Sequence, residues 1–443
     1  MAQKIVLFLS ELREHAQEVE YRCPDGSVVT GVQTNEAPVK YLLHRHPKIS
    51  EILCVVTPTA ERSAWERFQA EIVQSAPKAK CTSIPFQSET DFQGEVLPQI
   101  LARTESGDEI FLETTGGLRN AIMYLLLISR ALSYAGVKTS GAVYSNYSQR
   151  RIEDVSHLIA LFDFIGGMQE LTSFGNVRSL RSFYQQREHT PQVDQLLNAV
   201  DQLWECITLC RPNQIAECME CFNQALEQAE TGSDPLMRAL LPAFRKKFGK
   251  RLTTPGLIKW CVQSDMLQQA LTVYKERIPA YIMVERNDIL NPIPSAQDPI
   301  MKKDYSSKEE ARFYEQFLKM GANMRKAYYG AEVDSYHGER KDYTVTTLEH
   351  LEELMPRSYF VTQYPFDRLK TIVMDYLYIR ALRNMTNHAN DQETGSQKQL
   401  MEYLSAENPA YKRLDEVKAE DIRRTILTAL DHLQPLSKKE RVK

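Results

Sequence analysis

Short apolar runs alternate with longer segments of helical periodicity over residues 1 to 150. The runs are KIVLFL (4–9), EILCVVT (51–57), AKCTSIPF (79–86), DEIFLETT (108–115) and GAVYSNY (141–147). Near-continuous apolar runs of this length predict strands of a parallel sheet covered on both faces. The intervening APVKYLLHRH, SAWERFQAEIVQSA and GGLRNAIMYLLLISRALSYAG carry the 3.6-residue pattern of the covering helices. Together they predict an α/β, Rossmann-like, doubly wound N-terminal domain. Beyond IEDVSHLIALFDFIGGMQEL the strand signals largely vanish and helical periodicity dominates to the C-terminus. This predicts a sheet-bearing domain over 1–172 and an all-α region over 173–443. The break-rich RNDILNPIPSAQDPIMKKDYSS (286–307) reads as a long loop or linker within the helical part.

Composition narrows the function classes. The chain has 443 residues, 43% hydrophobic and 25% charged, as in an ordinary globular protein of two or three domains. A net charge of −4 and a pI of about 6.2 argue against holding nucleic acid by a general positive field, so any polyanion must meet a specific site. IVLFL (5–9) is too short for a signal sequence and runs straight into Ser10-Glu11-Leu12-Arg13, while YLLLIS (124–129) stops at Arg130. The expected compartment is the cytoplasm, with no membrane partner. Four of the eight cysteines, Cys206, Cys210, Cys218 and Cys221, lie close together. Their spacing is helical and lacks the knuckle glycines that turn a chain around zinc, so they read as reduced, helix-packing thiols, with zinc the alternative. No metal site is expected.

In an open parallel sheet, ligands lie beyond the carboxyl ends of the strands. Those positions carry Ser10, then Thr57 and Thr59, then Thr114-Thr115-Gly116-Gly117-Leu118-Arg119-Asn120, then Tyr144-Ser145-Asn146. The richest stretch, ETTGGLRNA, combines hydroxyls, two glycines that let backbone approach a ligand, and a helix expected to begin at once. Backbone N–H groups at such a helix start suit a phosphate. The segment TNEAPVKYLL offers a second helix start, with Thr34 or Asn35 as cap and Pro38 in the first turn. Ser, Thr and Gly after a strand also serve simply as caps and turns. No G-x-G-x-x-G follows the first strand, where LSELRE stands, which counts against a dinucleotide-dependent dehydrogenase.

A second candidate lies near the C-terminus. FDRLKTIVMDYLYIRALRN reads as an amphipathic helix with an apolar stripe at Leu369, Ile372, Val373 and Tyr376, and continuing that stripe reaches Arg380 and Arg383. Guanidinium groups where buried carbon is expected require a partner or a cleft. His388 falls about 140° around an ideal helix from Arg383, so the two share a site only if the helix turns near Asn387 or a second copy supplies the other group. An imidazole moves protons near neutral pH and a guanidinium clamps phosphate, which fits RNA cleavage by the ribose 2′-hydroxyl without a metal. The alternative is a salt-bridged structural arginine beside a surface histidine. Arg151 with His157 is a lookalike, expected on a helix of the first domain and read as a solvated face.

Glu113-Thr114-Thr115-Gly116-Gly117-Leu118-Arg119-Asn120 on a Rossmann-like half, followed by a helical half with Arg383-Asn384-Met385-Thr386-Asn387-His388, resembles the CARF–HEPN ribonucleases of type III CRISPR systems. CARF denotes a CRISPR-associated Rossmann fold and HEPN an all-helical ribonuclease module. The R-polar-x3-H motif is matched at Arg383, Asn384 and His388. At the sheet edge, related proteins often show D-x-T-H-G where this chain has Glu-Thr-Thr-Gly-Gly. The resemblance implies a cytoplasmic homodimer in which a cyclic oligoadenylate of four or six units binds the paired CARF domains as allosteric activator. That second messenger comes from the type III effector complex, a functional link without stable association. Carried over, Thr114, Thr115, Gly116, Gly117, Arg119 and Asn120 line the ligand, with Ser10, Asn146, Thr34, Asn35 and Thr57 as weaker candidates. Arg383, Asn384 and His388 of both chains then form one metal-independent site that cleaves single-stranded RNA to a 2′,3′-cyclic phosphate. Some relatives also cut their activator, for which Thr114 is the residue to watch. Rival readings are a CARF-type transcriptional regulator, for which no compact basic recognition helix is seen, and a metal-dependent DNA nuclease, loosely echoed by Asp334, Glu339 and Lys341.

Overall fold

The structure, a computed structural model, describes residues 2–185, 187–209, 211–232, 234–292, 348–349, 351–354, 360–388 and 395–436. Within these, the side chains at 212, 213, 292, 353, 354, 360, 387, 388 and 395–397 are outside the description. Residues 293–307 of the expected linker, Cys210, and the Asp334, Glu339 and Lys341 set also lie outside it. The chain divides into two compact units, Met1–Gly166 and Gly167–Lys443, the division falling inside the helix Ser156–Phe174.

The first unit is built on an eight-stranded sheet, β1 Gln3–Phe8, β2 Val19–Arg22, β3 Val28–Gly31, β4 Ile49–Val56, β5 Lys80–Pro85, β6 Glu109–Glu113, β7 Lys138–Asn146 and β8 Arg151–Asp154. The strand order is β3-β2-β8-β7-β6-β1-β4-β5. The five strands read from apolar runs form the parallel block β5-β4-β1-β6-β7. Alternation across β1 and β4 feeds two cores. Ile5, Leu7, Ile52 and Cys54 pack with the helices Glu36–Arg45 and Glu66–Ser75. Val6, Phe8, Leu53 and Val55 face the other way, toward Leu97–Leu101 and Ala121–Tyr134. The N-terminal half is therefore a mixed sheet wrapped by helices on both faces.

Two expectations need correction here. The sheet is mixed rather than wholly parallel, because β8 runs antiparallel to β7 and β3 antiparallel to β2. Arg151 lies on β8, where it pairs with Glu153 at 2.8 Å, and not on a helix; the following helix starts at Ser156.

The second unit is almost entirely helical, with only a two-residue bridge between Asn291–Pro292 and Phe360–Val361 among its described residues. An aromatic cluster of Trp204, Phe222, Phe244, Phe248 and Trp260 joins its first helices, and Trp260 Nε1 donates to the Thr172 carbonyl at 3.1 Å. The long helix Phe366–His388 is central instead of amphipathic, since every residue from Ile372 to Ile379 is buried. Its polar atoms are matched by the surroundings, as burial requires. Tyr376 and Tyr378 hydroxyls donate to the Lys275 and Lys412 carbonyls at 3.1 and 2.9 Å, and Asp375 accepts from Tyr411.

Candidate functional site

Strands β4 and β5 extend the sheet on one side of β1, and β6 and β7 on the other. The order therefore reverses between β1 and β6, and the crevice beyond their carboxyl ends is where an open α/β sheet holds ligands. Ser10 follows β1 and Thr114 follows β6, so the tertiary fold brings these stretches together across 107 positions of sequence.

Four polar side chains knit the floor of this crevice. Asn35 Nδ2 donates to Glu113 Oε2 and, at 3.2 Å, to the Phe8 carbonyl, while Asn35 Oδ1 accepts from Ser10 N at 2.9 Å and Gln33 Nε2 at 2.8 Å. Gln33 Nε2 also donates to the Ser10 carbonyl at 2.8 Å. Glu113 Oε1 accepts from Thr115 N at 2.7 Å, and Ser10 Oγ accepts from Gly117 N at 2.7 Å. A methyl group on Gly116 would collide with Ser10 Oγ and the Asn35 amide, so only glycine lets the loop lie against this floor. Gly117 has φ +92°, a left-handed conformation that side chains other than glycine rarely adopt.

Glu113 is fully buried, and loss of hydration pushes its pKa up from 4.5 to about 7, although the donors Thr115 and Asn35 oppose the shift. Both of these partners are neutral, so no opposite charge holds the carboxylate in its ionised form. The group consequently changes protonation state in the neutral range directly beneath the loop.

The other expected positions have separate tasks. Thr114 is buried, its hydroxyl donating to the Val143 carbonyl at 2.9 Å, and Thr115 Oγ1 accepts from Ser145 N at 2.7 Å; both tie the end of β6 to β7. The helix does not begin directly after the glycines. It starts at Ala121, so Thr114–Asn120 form a loop whose rim, Gly117, Leu118 and Arg119, is exposed. Asn120 Nδ2 donates to Glu89 Oε1 at 2.7 Å. Asn35 occupies the position before Glu36–Arg45 but makes no side-chain cap, because its amide is committed to the crevice floor; Thr34 beside it is exposed. Thr57 is a helix cap, accepting from Ala60 N at 3.1 Å. Asn146 lies at the β7–β8 turn, donating to Glu153 Oε1 at 3.0 Å and accepting from Gln149 N at 3.1 Å. Gln33 was missed from sequence; its one local signal is a polar residue two positions ahead of a helix cap.

In the second unit, Leu369, Ile372, Val373 and Tyr376 are buried as the stripe predicts. Arg380, Arg383 and Asn384 are half-buried, and neither arginine is without a partner. Arg383 Nη1 lies 3.5 Å from Asn384 Oδ1, the outer limit of a hydrogen bond. The helix continues without a break through His388, so no turn at Asn387 brings positions 383 and 388 onto one face. The His388 side chain lies outside the described residues. A cluster that sequence reading did not find sits about two turns before Arg383: Asp375 Oδ2 lies 2.6 Å from His432 Nδ1, and Asp375 Oδ1 accepts from the Tyr411 hydroxyl at 2.7 Å. Asp375 is almost fully buried and His432 is partly exposed.

The cysteines have the expected helical placement, Cys206 on Pro191–Thr208 and Cys218 and Cys221 on Pro212–Thr231. Cys206 and Cys218 sulfurs approach to 3.2 Å as free thiols. Among the described residues no group of three His, Cys, Asp or Glu side chains is placed to hold a metal ion, and no helix is long and apolar enough to cross a membrane. The chain matches no protein-family model and no curated protein.

Proposed function

We propose that this chain is an RNA endonuclease of the CARF–HEPN kind, governed by a cyclic oligoadenylate at the β1–β6 crevice and cutting RNA with Arg383 and His388 of two copies. The observation that carries the reading is the sheet's switch point, where Ser10 and the Thr114–Asn120 loop meet over a rigid polar floor. The exposed rim of Gly117, Leu118 and Arg119 offers backbone and one guanidinium to a phosphate-bearing ring. Ser10, Gln33, Asn35 and Glu113 act as positioning residues beneath it. Thr114 belongs with them, its hydroxyl being engaged by Val143.

Support for a shared catalytic site comes from the unbroken helix. One copy presents positions 383 and 388 on different faces, so a second copy is needed to complete the pair. In the reaction, the ribose 2′-oxygen attacks the adjacent phosphorus, the P–O5′ bond breaks, and the products are a 2′,3′-cyclic phosphate and a 5′-hydroxyl. Arg383 stabilises the charge on the five-coordinate phosphate. His388 moves the proton, and Asn384 holds the arginine.

Purified protein with labelled single-stranded RNA, in EDTA, with and without cyclic tetra- or hexaadenylate, tests this. Wild type is expected to cut only with activator, His388→Ala to be inactive, and Arg119→Ala to require more activator. Cleavage by His388→Ala at the wild-type rate would overturn the catalytic assignment. Loss of all cleavage in EDTA, restored by Mg2+, would point instead to a metal-dependent nuclease.

A further inference from the structure

The helices Pro191–Thr208 and Pro212–Thr231 form a hairpin with a short connection at 209–211, and they pack against each other through buried side chains that include Leu203, Ile207, Ile215 and Met219. A helical side chain leans toward the start of its own helix. Cys206 stands just before the connection and Cys218 about a turn further beyond it, so in an antiparallel pair the two lean toward each other. Their sulfurs lie 3.2 Å apart as free thiols. Cys206 is buried, its thiol also donating to Gln214 Oε1 at 3.6 Å. Cys218 is half-buried, and the exposed Cys221 follows it three positions later on the same helix.

This contact adds little stability, because a thiol is a weak donor and a weak acceptor. It places the two sulfurs for a different reaction. Closing them to a bonded distance of about 2 Å takes a shift of roughly 1 Å, which side-chain torsions can supply while the hairpin stays packed. Burial first, then the Cys206 thiol, and after these Cys221 and Glu217, push the Cys218 thiol up to about 12. Little thiolate is therefore present at neutral pH, so the pair closes slowly and answers sustained oxidation.

We infer that Cys206 and Cys218 are a reversible oxidation site, closed to an intrachain disulfide by hydrogen peroxide and reopened by a thiol reductant. Peroxide reacts at Cys218, the more accessible of the two. The Cys218 thiolate attacks one peroxide oxygen, the O–O bond breaks, and hydroxide leaves a sulfenic acid behind. The Cys206 sulfur then attacks Cys218 Sγ, the S–O bond breaks, and the departing oxygen takes the Cys206 proton and leaves as water. In sum the two thiols give up two hydrogens and two electrons, and one peroxide becomes two waters. Cys206 is shielded from the oxidant, which suits it to close the bond. The product staples the hairpin and restricts the unfolded chain. The nuclease reading uses neither thiol, so the two stand or fall separately.

The test treats the full chain, reduced and then freed of reductant, with excess hydrogen peroxide under native conditions, blocks the remaining thiols with N-ethylmaleimide, and cuts after glutamate. Cleavage at Glu205, Glu217 and Glu220 puts Cys206, Cys218 and Cys221 on separate peptides. The expected product joins peptide 206–217 to peptide 218–220 and is lighter by two hydrogens, with fragmentation placing the bond at Cys206 and not at Cys210. Dithiothreitol should restore both thiols. Cys221→Ser should keep the bond, whereas Cys206→Ser should lose it and leave Cys218 to run on to the sulfinic acid. Oxidised wild type should unfold at a higher urea midpoint than its reduced form, a shift that Cys206→Ser, with an unchanged far-ultraviolet spectrum, does not show. Full alkylation of Cys206 and Cys218 after peroxide overturns the inference, as does a bond that joins Cys218 to Cys221.

Discussion

Replacing Glu113 with glutamine tests whether burial governs the crevice floor. The carboxyl pKa is 4.5 when hydrated and about 7 in the fold, with burial the leading cause. Between those values the folded state holds a proton that the unfolded chain has released, so stability falls as pH rises and levels off above about 7. The full contribution is present below 4.5. At 1.36 kcal/mol for each unit of pKa, the change across this window is about 3 kcal/mol, with no reduction for solvent because the group is fully buried. Glutamine cannot titrate, and its amide can accept from only one of the two donors Thr115 N and Asn35 Nδ2. Glu113→Gln should therefore show a pH-independent loss of about 1 kcal/mol relative to the protonated wild type. It should also lack the wild-type decline from pH 4.5 to 7. Hydrogen-exchange protection of β1 and β6 peptides, corrected for intrinsic rates and measured from roughly pH 4.5 to 8, reads the unit that contains the residue. The difference between the two proteins cancels other titrating groups. Parallel profiles would refute the argument, because they would mean that Glu113 exchanges its proton equally in both states.

Three further substitutions probe the packing in the two units. Gly117→Ala must adopt φ +92° with its methyl 2.5 Å from Phe8 Cβ; a loss of about 1–3 kcal/mol is expected in urea unfolding of the first unit, and a wild-type midpoint would show that the loop relaxes freely. Asp375→Ala strips the partner from the buried Tyr411 hydroxyl and from His432 Nδ1, and should destabilise the helical unit by about 2 kcal/mol or more, whereas Tyr411→Phe should cost about 1 kcal/mol. Equal effects of the two would show that the histidine contact contributes nothing.

Local patterning carried far along this chain. Apolar runs located all five strands of the parallel block, most clearly β1, β4 and β6, where burial on both faces requires apolar residues at consecutive positions. They also placed Ser10 and Thr114–Asn120 beyond strand ends. The change of texture after the last of them separated a sheet-bearing half from a helical one. The strands β2, β3 and β8 escaped notice for the opposite reason: each has four residues, partly exposed, and pairs at or near the sheet's margin, so none needs an apolar run.

Other features were decided only by tertiary structure. Asn35 reads as a helix cap until the fold sets it against Glu113, 78 positions away, where its amide has a better use. Glu113 reads as an ordinary strand-end acid, and only complete burial moves its protonation into the neutral range. The Phe366–His388 helix looks amphipathic because Asp375 and Tyr378 lie off its apolar stripe, yet it lies in the interior since Tyr411, His432 and the Lys275 and Lys412 carbonyls satisfy the polar atoms of Asp375, Tyr376 and Tyr378. A sequence determines which side chains need burial and at what period. Which polar groups meet across the chain, and so which burials are tolerated, is set by contacts between residues that no local period connects.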